Sequence, residues 1–262
     1  MAAVHATALV DPAATLAADV EVGPFAVIGP HVRIGAGTKV AAHTVIQGHT
    51  SIGRNNRIHE FCSLGGPPQD KKYAGEPTRL EVGDGNTIRE YCTMNTGTVQ
   101  DTGVTRVGSN NWLMAYVHIA HDCVVGDNTI FANNAQLAGH VIIGDWVILG
   151  GVTGVHQFVK IGPHAMTGGG TMLVQDIPPY VMANGNPAAT RGLNIEGLRR
   201  RGFSPEAIAA LKRAYKILYR DGLGLAQAIE QIDALVAAEP EQASHLRLLL
   251  QFLRESERGI LR

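Results

Sequence analysis

The chain has 262 residues, with 22 Lys and Arg against 23 Asp and Glu, so its formal charge at pH 7 is −1 with histidine neutral. That balance, without a long block of like charge, argues against a nucleic-acid partner or a membrane surface, and no apolar run approaches the roughly 20 residues of a membrane span. Residues 1–18 lack the basic and apolar regions of a secretory leader, and three cysteines, Cys62, Cys92 and Cys123, form no CxxC pair, so a reducing, cytoplasmic location is expected.

From about Val10 the aliphatic residues recur every six positions: Leu16, Val22, Ile28, Ile34, Val40, Ile46, Ile52, Ile58 and Leu64. The pattern returns at Val82, Ile88 and Met94, restarts at Val107, and runs through Leu113, Ile119, Val125, Phe131, Leu137, Ile143, Leu149, Val155 and Ile161 before fading at Thr167 and Leu173. Neither a 3.6-residue helical stripe nor a two-residue strand alternation has this period, but a short strand followed by a sharp turn does. Three such units close a triangular coil. The expected fold is mainly β: a left-handed parallel β-helix of hexapeptide repeats over residues 1–188. The aliphatic side chain points inward, a small residue fits four positions later, and Gly, Asn or Asp suits the corner. All three cysteines fall on the small position and read as core fillers.

Two breaks interrupt the period. Residues 67–79 (PPQDKKYAGEPTR) are polar and proline-bearing, and residues 98–106 shift the phase by one. Both read as loops thrown out of the prism, and long loops on a rigid solenoid tend to carry binding residues.

Beyond Pro187 the pattern becomes helical, which predicts a second domain over residues 189–262. Ser204-Pro205-Glu206 has the form of an N-cap with proline at the first helical position, and Ile208, Leu211, Tyr215 and Leu218 form an apolar stripe. Further helices are expected over 225–237 and 242–256, and the domain would cap one end of the solenoid.

Four histidines, His118, His121, His140 and His156, lie in the most regular part of the prism. At about eighteen residues per coil, residues eighteen apart stack on adjacent coils, roughly 4.8 Å apart. Gly139 then adjoins His121, His140 adjoins Asp122, and His156 and Gln157 join the same edge. A carboxylate beside an imidazole is what a general base near neutral pH requires, and a bare Gly139 N–H could meet a developing oxyanion; together these suit acyl transfer to a hydroxyl. Three imidazoles on neighbouring coils could instead hold zinc in an open site, as in a γ-class carbonic anhydrase, although no ligand motif of diagnostic spacing supports it. A trimerisation scaffold without catalysis is the third reading.

At His118-Ile-Ala-His121-Asp122-Cys123, Asn133-Asn134, Leu137-Ala-Gly-His140-Val141, Val155-His-Gln-Phe158, Gln175-Asp-Ile-Pro-Pro179 and Asn194-Ile-Glu-Gly-Leu-Arg-Arg-Arg-Gly202, the chain resembles the bacterial UDP-N-acetylglucosamine O-acyltransferases. The resemblance covers essentially the whole chain. It implies transfer of an (R)-3-hydroxyacyl chain from acyl carrier protein to the glucosamine 3-hydroxyl of UDP-N-acetylglucosamine, the first step of lipid A biosynthesis. It implies His121 as general base, Asp122 as its orienting carboxylate and Gly139 as oxyanion donor. Asp70, Lys72, His118, His140 and Gln157 match positions contacting the sugar nucleotide or acyl chain, and His156 one important for activity. Asn194, Glu196, Arg200 and Arg201 match nucleotide-binding positions; without the resemblance, residues 199–201 read as a solvated helix face. Met166, Gly169 and Gly170 match the acyl-chain ruler, where glycine at 169 implies a long chain that enlargement of Gly169 would shorten. Asn95 departs from the histidine of many relatives. The resemblance further implies a homotrimer with sites between neighbouring prisms, no metal and no dissociable cofactor, the acyl group arriving on the phosphopantetheine of acyl carrier protein.

Overall fold

The computed structural model describes residues 2–262. Most strands of the solenoid are two residues long, the first pointing to solvent and the second inward: in Arg33–Ile34 and Lys39–Val40 the charged residue is exposed and the aliphatic one buried. Among the described residues these strands stack into three parallel sheets of 11, 9 and 8 strands, one for each face of a triangular prism. On the first face lies Trp112–Leu113, on the second His118–Ile119, and on the third Val124–Val125. Successive coils pair in register, His118 with Gln136 and Gln136 with Gly154, which is the eighteen-residue turn expected from the hexads.

Inside the prism Ile28, Ile46, Leu64, Ile88, Ile119, Leu137 and Leu149 are all essentially inaccessible, and each contributes about 1.5–3 kcal/mol by leaving water. Cys62, Cys92 and Cys123 are buried on the small position of their hexads. Burial pushes the Cys123 thiol up to about 12, which leaves it no thiolate for nucleophilic chemistry. The repeat does not fade where the aliphatic signal weakens. Met166–Thr167 and Met172–Leu173 are regular strands, with Thr167 and Leu173 buried. Thr167 keeps the inward position because its hydroxyl bonds that of Thr153 at 2.9 Å.

The corners use more than Gly, Asn and Asp. Asn55, Asn110, Asn128 and Asp122 do take left-handed backbone, but so do Phe25, Phe61, Tyr91, Tyr116, Trp146, Val152 and Phe158. A solenoid that pairs each corner with the coils above and below outweighs the local cost of about 1–2 kcal/mol. Aromatic stacking helps: Phe25, His43, Phe61, Tyr91 and Tyr116 form one ladder with ring centroids 4.8–5.2 Å apart between successive members.

The two breaks are insertions between strands that stay in register, but they are shorter than expected: Arg79 and residues 104–106 already belong to the paired strands Arg79–Val82 and Val104–Val107. Arg57 pairs with Thr87 and Thr87 with Trp112, so these two coils lengthen while the prism continues unbroken. At the far end, Val181–Asn184 and Ala189–Leu193 form an antiparallel hairpin attached to the first face. The expected division between residues 188 and 189 falls inside this hairpin, because cross-strand pairing carries the β region on to Leu193. Helices follow as α1 (Ile195–Arg200), α2 (Pro205–Tyr219), α3 (Leu225–Ala238) and α4 (Ala243–Glu255). Ser204 caps α2 by accepting from the Ala207 N–H. Leu261, Tyr215 and Tyr219 pack against the core of the prism and close that end of it.

Candidate active site

Turns after second-face strands set the candidate site. Ile119 points inward, the chain bends at Ala120, and left-handed backbone at Asp122 (φ 59°) places His121 and Asp122 on the edge between the second and third faces. The His121 Nδ1–H donates to Asp122 Oδ2 at 2.9 Å, with the histidine side chain 9% exposed and the carboxylate fully buried. A buried carboxylate needs donors. Asp122 receives the Thr98 N–H on Oδ1 at 2.8 Å and the Thr98 hydroxyl on Oδ2 at 2.7 Å, while its own N–H donates to Thr105 Oγ1. With Nδ1 committed, Nε2 is the nitrogen of His121 free for chemistry.

Gly139 lies one coil on, against the His121 ring. A Cβ there would stand 2.7 Å from Nε2, so only glycine lets the ring lie where it does. Among the described residues the Gly139 N–H makes no hydrogen bond, whereas its carbonyl accepts from Phe158. The cleft in front of this pair holds about 510 Å³ and is lined by His118, His121, Gly139, His156 and Gln157, with Gln69 of the first loop at its rim. Gly154 and Met172 form an apolar part of the lining. A larger hollow, about 840 Å³, lies on the first face near the N-terminal end. It contains an exposed Lys39–Glu21 pair and no histidine held by a buried carboxylate, so the chemistry points to the smaller cleft.

His118 bonds Thr93 Oγ1 through Nδ1 at 2.7 Å, and burial, aided by neighbouring His121, lowers its pKa below the ordinary histidine value. It therefore faces the cleft as a neutral ring. His156 is exposed, with Nδ1 against the Gln157 carbonyl. His140 stands behind the cleft rather than in its wall: it packs edge-on to His121, stacks on Phe158, and donates from Nδ1 to Asp101 at 2.7 Å.

His121, Asp122 and His140 offer three ligand atoms within 4.8 Å of one another, the one such group among the described residues. The donor set differs from the three imidazoles expected of a zinc reading, since one of its three members is a carboxylate. It also fits a metal poorly. Asp122, the only carboxylate among them, already accepts three hydrogen bonds, from the Thr98 N–H, the Thr98 hydroxyl and His121 Nδ1.

Other residues singled out in the sequence are scattered in this one chain. Asp70 and Lys72 lie in the first loop, where Asp70 accepts the Lys72 N–H, and neither lines the cleft. Asn194 is buried as the N-cap of α1, bonding the Gly197 N–H and the His164 carbonyl. Glu196 and Arg200 form an exposed pair on α1. Arg201 donates to the Trp146 carbonyl and lies over the indole, with its other nitrogen 3.4 Å from His164 Nδ1. Trp146 and His164 mark the edge between the third and first faces, so this group occupies a different edge from His121. Met166, Gly169 and Gly170 sit where the first face turns to the second and do not line the cleft; a Cβ at Gly169 would meet only the Gly151 carbonyl, at 3.5 Å. Asn95 is buried, donating to the Pro67 carbonyl at 2.8 Å at the root of the first loop.

Sequence reasoning missed Thr98, Asp101, Gly154 and Met172. Thr98 and Asp101 fall in a loop expected to cover substrate, and the structure ties that loop to the histidine edge instead. Hexad arithmetic could have placed Gly154 and Met172, which share the register of His118 and Gln136 on the second face.

A family profile described as UDP-N-acetylglucosamine O-acyltransferase, domain 2, matches residues 176–261, and the bacterial transferase hexapeptide profile matches residues 13–48 and 105–139. The chain is 67% identical, over the whole of both chains, to the acyl-[acyl-carrier-protein]–UDP-N-acetylglucosamine O-acyltransferase of Thiobacillus denitrificans. Among solved structures it is similar to LpxA of Acinetobacter baumannii, with a TM-score of 0.95, 51% identity and 99% of each chain covered. It is likewise similar to the UDP-N-acetylglucosamine O-acyltransferase of Moraxella catarrhalis, with a TM-score of 0.95, 48% identity and 99% of each chain covered.

Proposed function

Because the chain belongs to the acyl-[acyl-carrier-protein]–UDP-N-acetylglucosamine O-acyltransferase family, we propose that His121 is the general base of its reaction, oriented by Asp122 and assisted by the Gly139 N–H. The chain is an acyltransferase that moves an acyl group from acyl carrier protein to UDP-N-acetylglucosamine, the first step of lipid A biosynthesis. In the finer reading the donor is an (R)-3-hydroxyacyl thioester and the acceptor is the glucosamine 3-hydroxyl. His121 Nε2 takes the hydroxyl proton as the oxygen attacks the thioester carbon, and Asp122 stabilises the imidazolium that forms. The Gly139 N–H donates to the oxyanion. The intermediate then collapses by breaking the C–S bond, and the thiolate of the phosphopantetheine arm leaves with the proton from His121. Every proton is accounted for without a metal or a dissociable cofactor.

His118, His156 and Gln157 would surround the sugar and acyl chain, with His140 supporting them from behind His121, and Asp70 and Lys72 would reach the substrates from the first loop. Asn194, Glu196, Arg200 and Arg201 would hold the nucleotide, the guanidiniums facing phosphate. These groups lie on two different edges of one prism, which supports a homotrimer whose sites combine residues of two neighbouring chains. Met166, Gly169 and Gly170 would limit acyl length, with the open Gly169 admitting a long chain. Among the described residues no helix is long and apolar enough to cross a membrane.

The buried Asp122 holding His121 against Gly139 carries this reading. Its test is turnover of UDP-N-acetylglucosamine with mixed 3-hydroxyacyl carrier proteins, products identified by mass spectrometry. His121→Ala is expected to lose about 10²–10⁴-fold in kcat with assembly intact. Undiminished turnover in His121→Ala would mean that a group other than His121 is the base.

A further inference from the structure

The loop over residues 98–103, just before the strand Val104–Val107, carries a second carboxylate–imidazole pair that acyl transfer through His121 does not use. Asp101 Oδ2 accepts from His140 Nδ1 at 2.7 Å, and the other nitrogen of His140, Nε2, lies 3.9 Å from Asp122 Oδ2. One imidazole thus stands between two carboxylates, and the nearer is not the one that serves His121. The His140 side chain is only 15% exposed, held edge-on to His121 by Phe158 stacked on its far face. Besides Asp122 and His140, His118 faces His121 across the second face. Among the described residues no further charged side chain is bonded to His140.

We propose that Asp101 is a positioning residue for acyl transfer: as the acceptor that keeps the ring proton of His140 on Nδ1, it reserves the Asp122 carboxylate for His121. The inference rests on the reading of His121 as the base. When His121 takes up the substrate proton, its imidazolium needs the full charge of Asp122. Asp101 holds the ring proton of neutral His140 on Nδ1; without that carboxylate the proton can sit on Nε2, and a small ring rotation lets Nε2–H donate to Asp122 Oδ2 across the present 3.9 Å gap. Two rings then donate to the same Asp122 oxygen, and His121 has a weaker share of it. That competition makes His121 a weaker base.

Asp101→Asn keeps the size and an acceptor oxygen but removes the charge. Expected for Asp101→Asn is a fall of about tenfold in kcat, with KM for both substrates within about twofold and the acid limb of the kcat/KM profile moved to lower pH. In a His140→Gln background the same substitution should change nothing further, because the residue acts through His140. Thermal unfolding of each variant checks that the loop remains folded. A wild-type rate and pH profile for Asp101→Asn, alongside an inactive His121→Ala, would overturn this inference alone. An equal loss in both backgrounds would overturn it too. Activity in His121→Ala would instead remove the general-base reading on which it stands.

Discussion

At Gly139 a single methyl group would stand 2.7 Å from His121 Nε2, well inside van der Waals contact. The ring cannot retreat toward Asp122, whose carboxylate is fully buried and bonded through both oxygens to Thr98. It can only swing outward, breaking the 2.9 Å bond that orients it. Gly139→Ala should therefore lower kcat about 10²-fold, while the melting temperature shifts by no more than a few degrees. Steady-state kinetics with a thermal melt measures both, and an alanine variant with normal turnover would mean that the ring does not need that edge. The same residues explain how the pair tolerates burial. An unpaired carboxylate without water costs several kcal/mol, and three donors offset that cost here.

Among the elements, the helical unit is joined to the prism through His164. Its ring stacks between Trp146 and Tyr180 and meets Phe203 edge-on. Burial, with Arg201 and His245 nearby, pushes its pKa down to about 4. The folded chain thus keeps this ring neutral where an unfolded chain, with an ordinary histidine value near 6.5, takes a proton. The stability linked to that difference is fully present above about pH 6.5 and is lost as pH falls toward 4. Solvent screening leaves about 1–2 kcal/mol of it. Urea unfolding at pH 7.5 and 4.5 should show the wild type losing about that much more than His164→Gln, whose amide oxygen can still accept from Arg201. Equal acid losses in the two proteins would show that His164 is not the group responsible. The acid loss belongs to the contact between elements, since Phe203, Arg201 and His245 all come from the helical unit.

For the whole molecule, the separation of His121 from the Arg200 and Arg201 edge has a direct test. If a site takes His121 from one chain and the arginines from its neighbour, two variants inactive for different reasons can complement each other. Mixing unfolded His121→Ala and Arg200→Ala chains in equal amounts and refolding them should restore about a quarter of wild-type activity, the statistical share of sites with both residues intact. No recovery in a mixture that reassembles into trimers would place both groups in one chain's site. The solenoid also has unlike ends. Leu261, Tyr215 and Tyr219 close one, whereas Val4 and Leu9 remain exposed at the other, so the helical unit shields the last coils of the core.

Periodicity in the sequence determined the prism, because each hexad repeats one local event: an aliphatic side chain turned inward, then a corner. Coil length followed from it, and with coil length the stacking of Gly139 on His121. The motif residues His118 to Cys123 made the family legible before any coordinates. Tertiary structure alone decided what the irregular segments do. Thr98 reaches Asp122 across 24 residues, and Asp101 reaches His140 across 39, through a loop whose path no period dictates. Corner residues such as Trp146 and Val152 adopt left-handed backbone against their own preference because paired coils on both sides impose it. Local repetition is written in the chain, whereas contacts made across an insertion depend on the folded shape of the loop, and that is where the support of the His121–Asp122 pair resides.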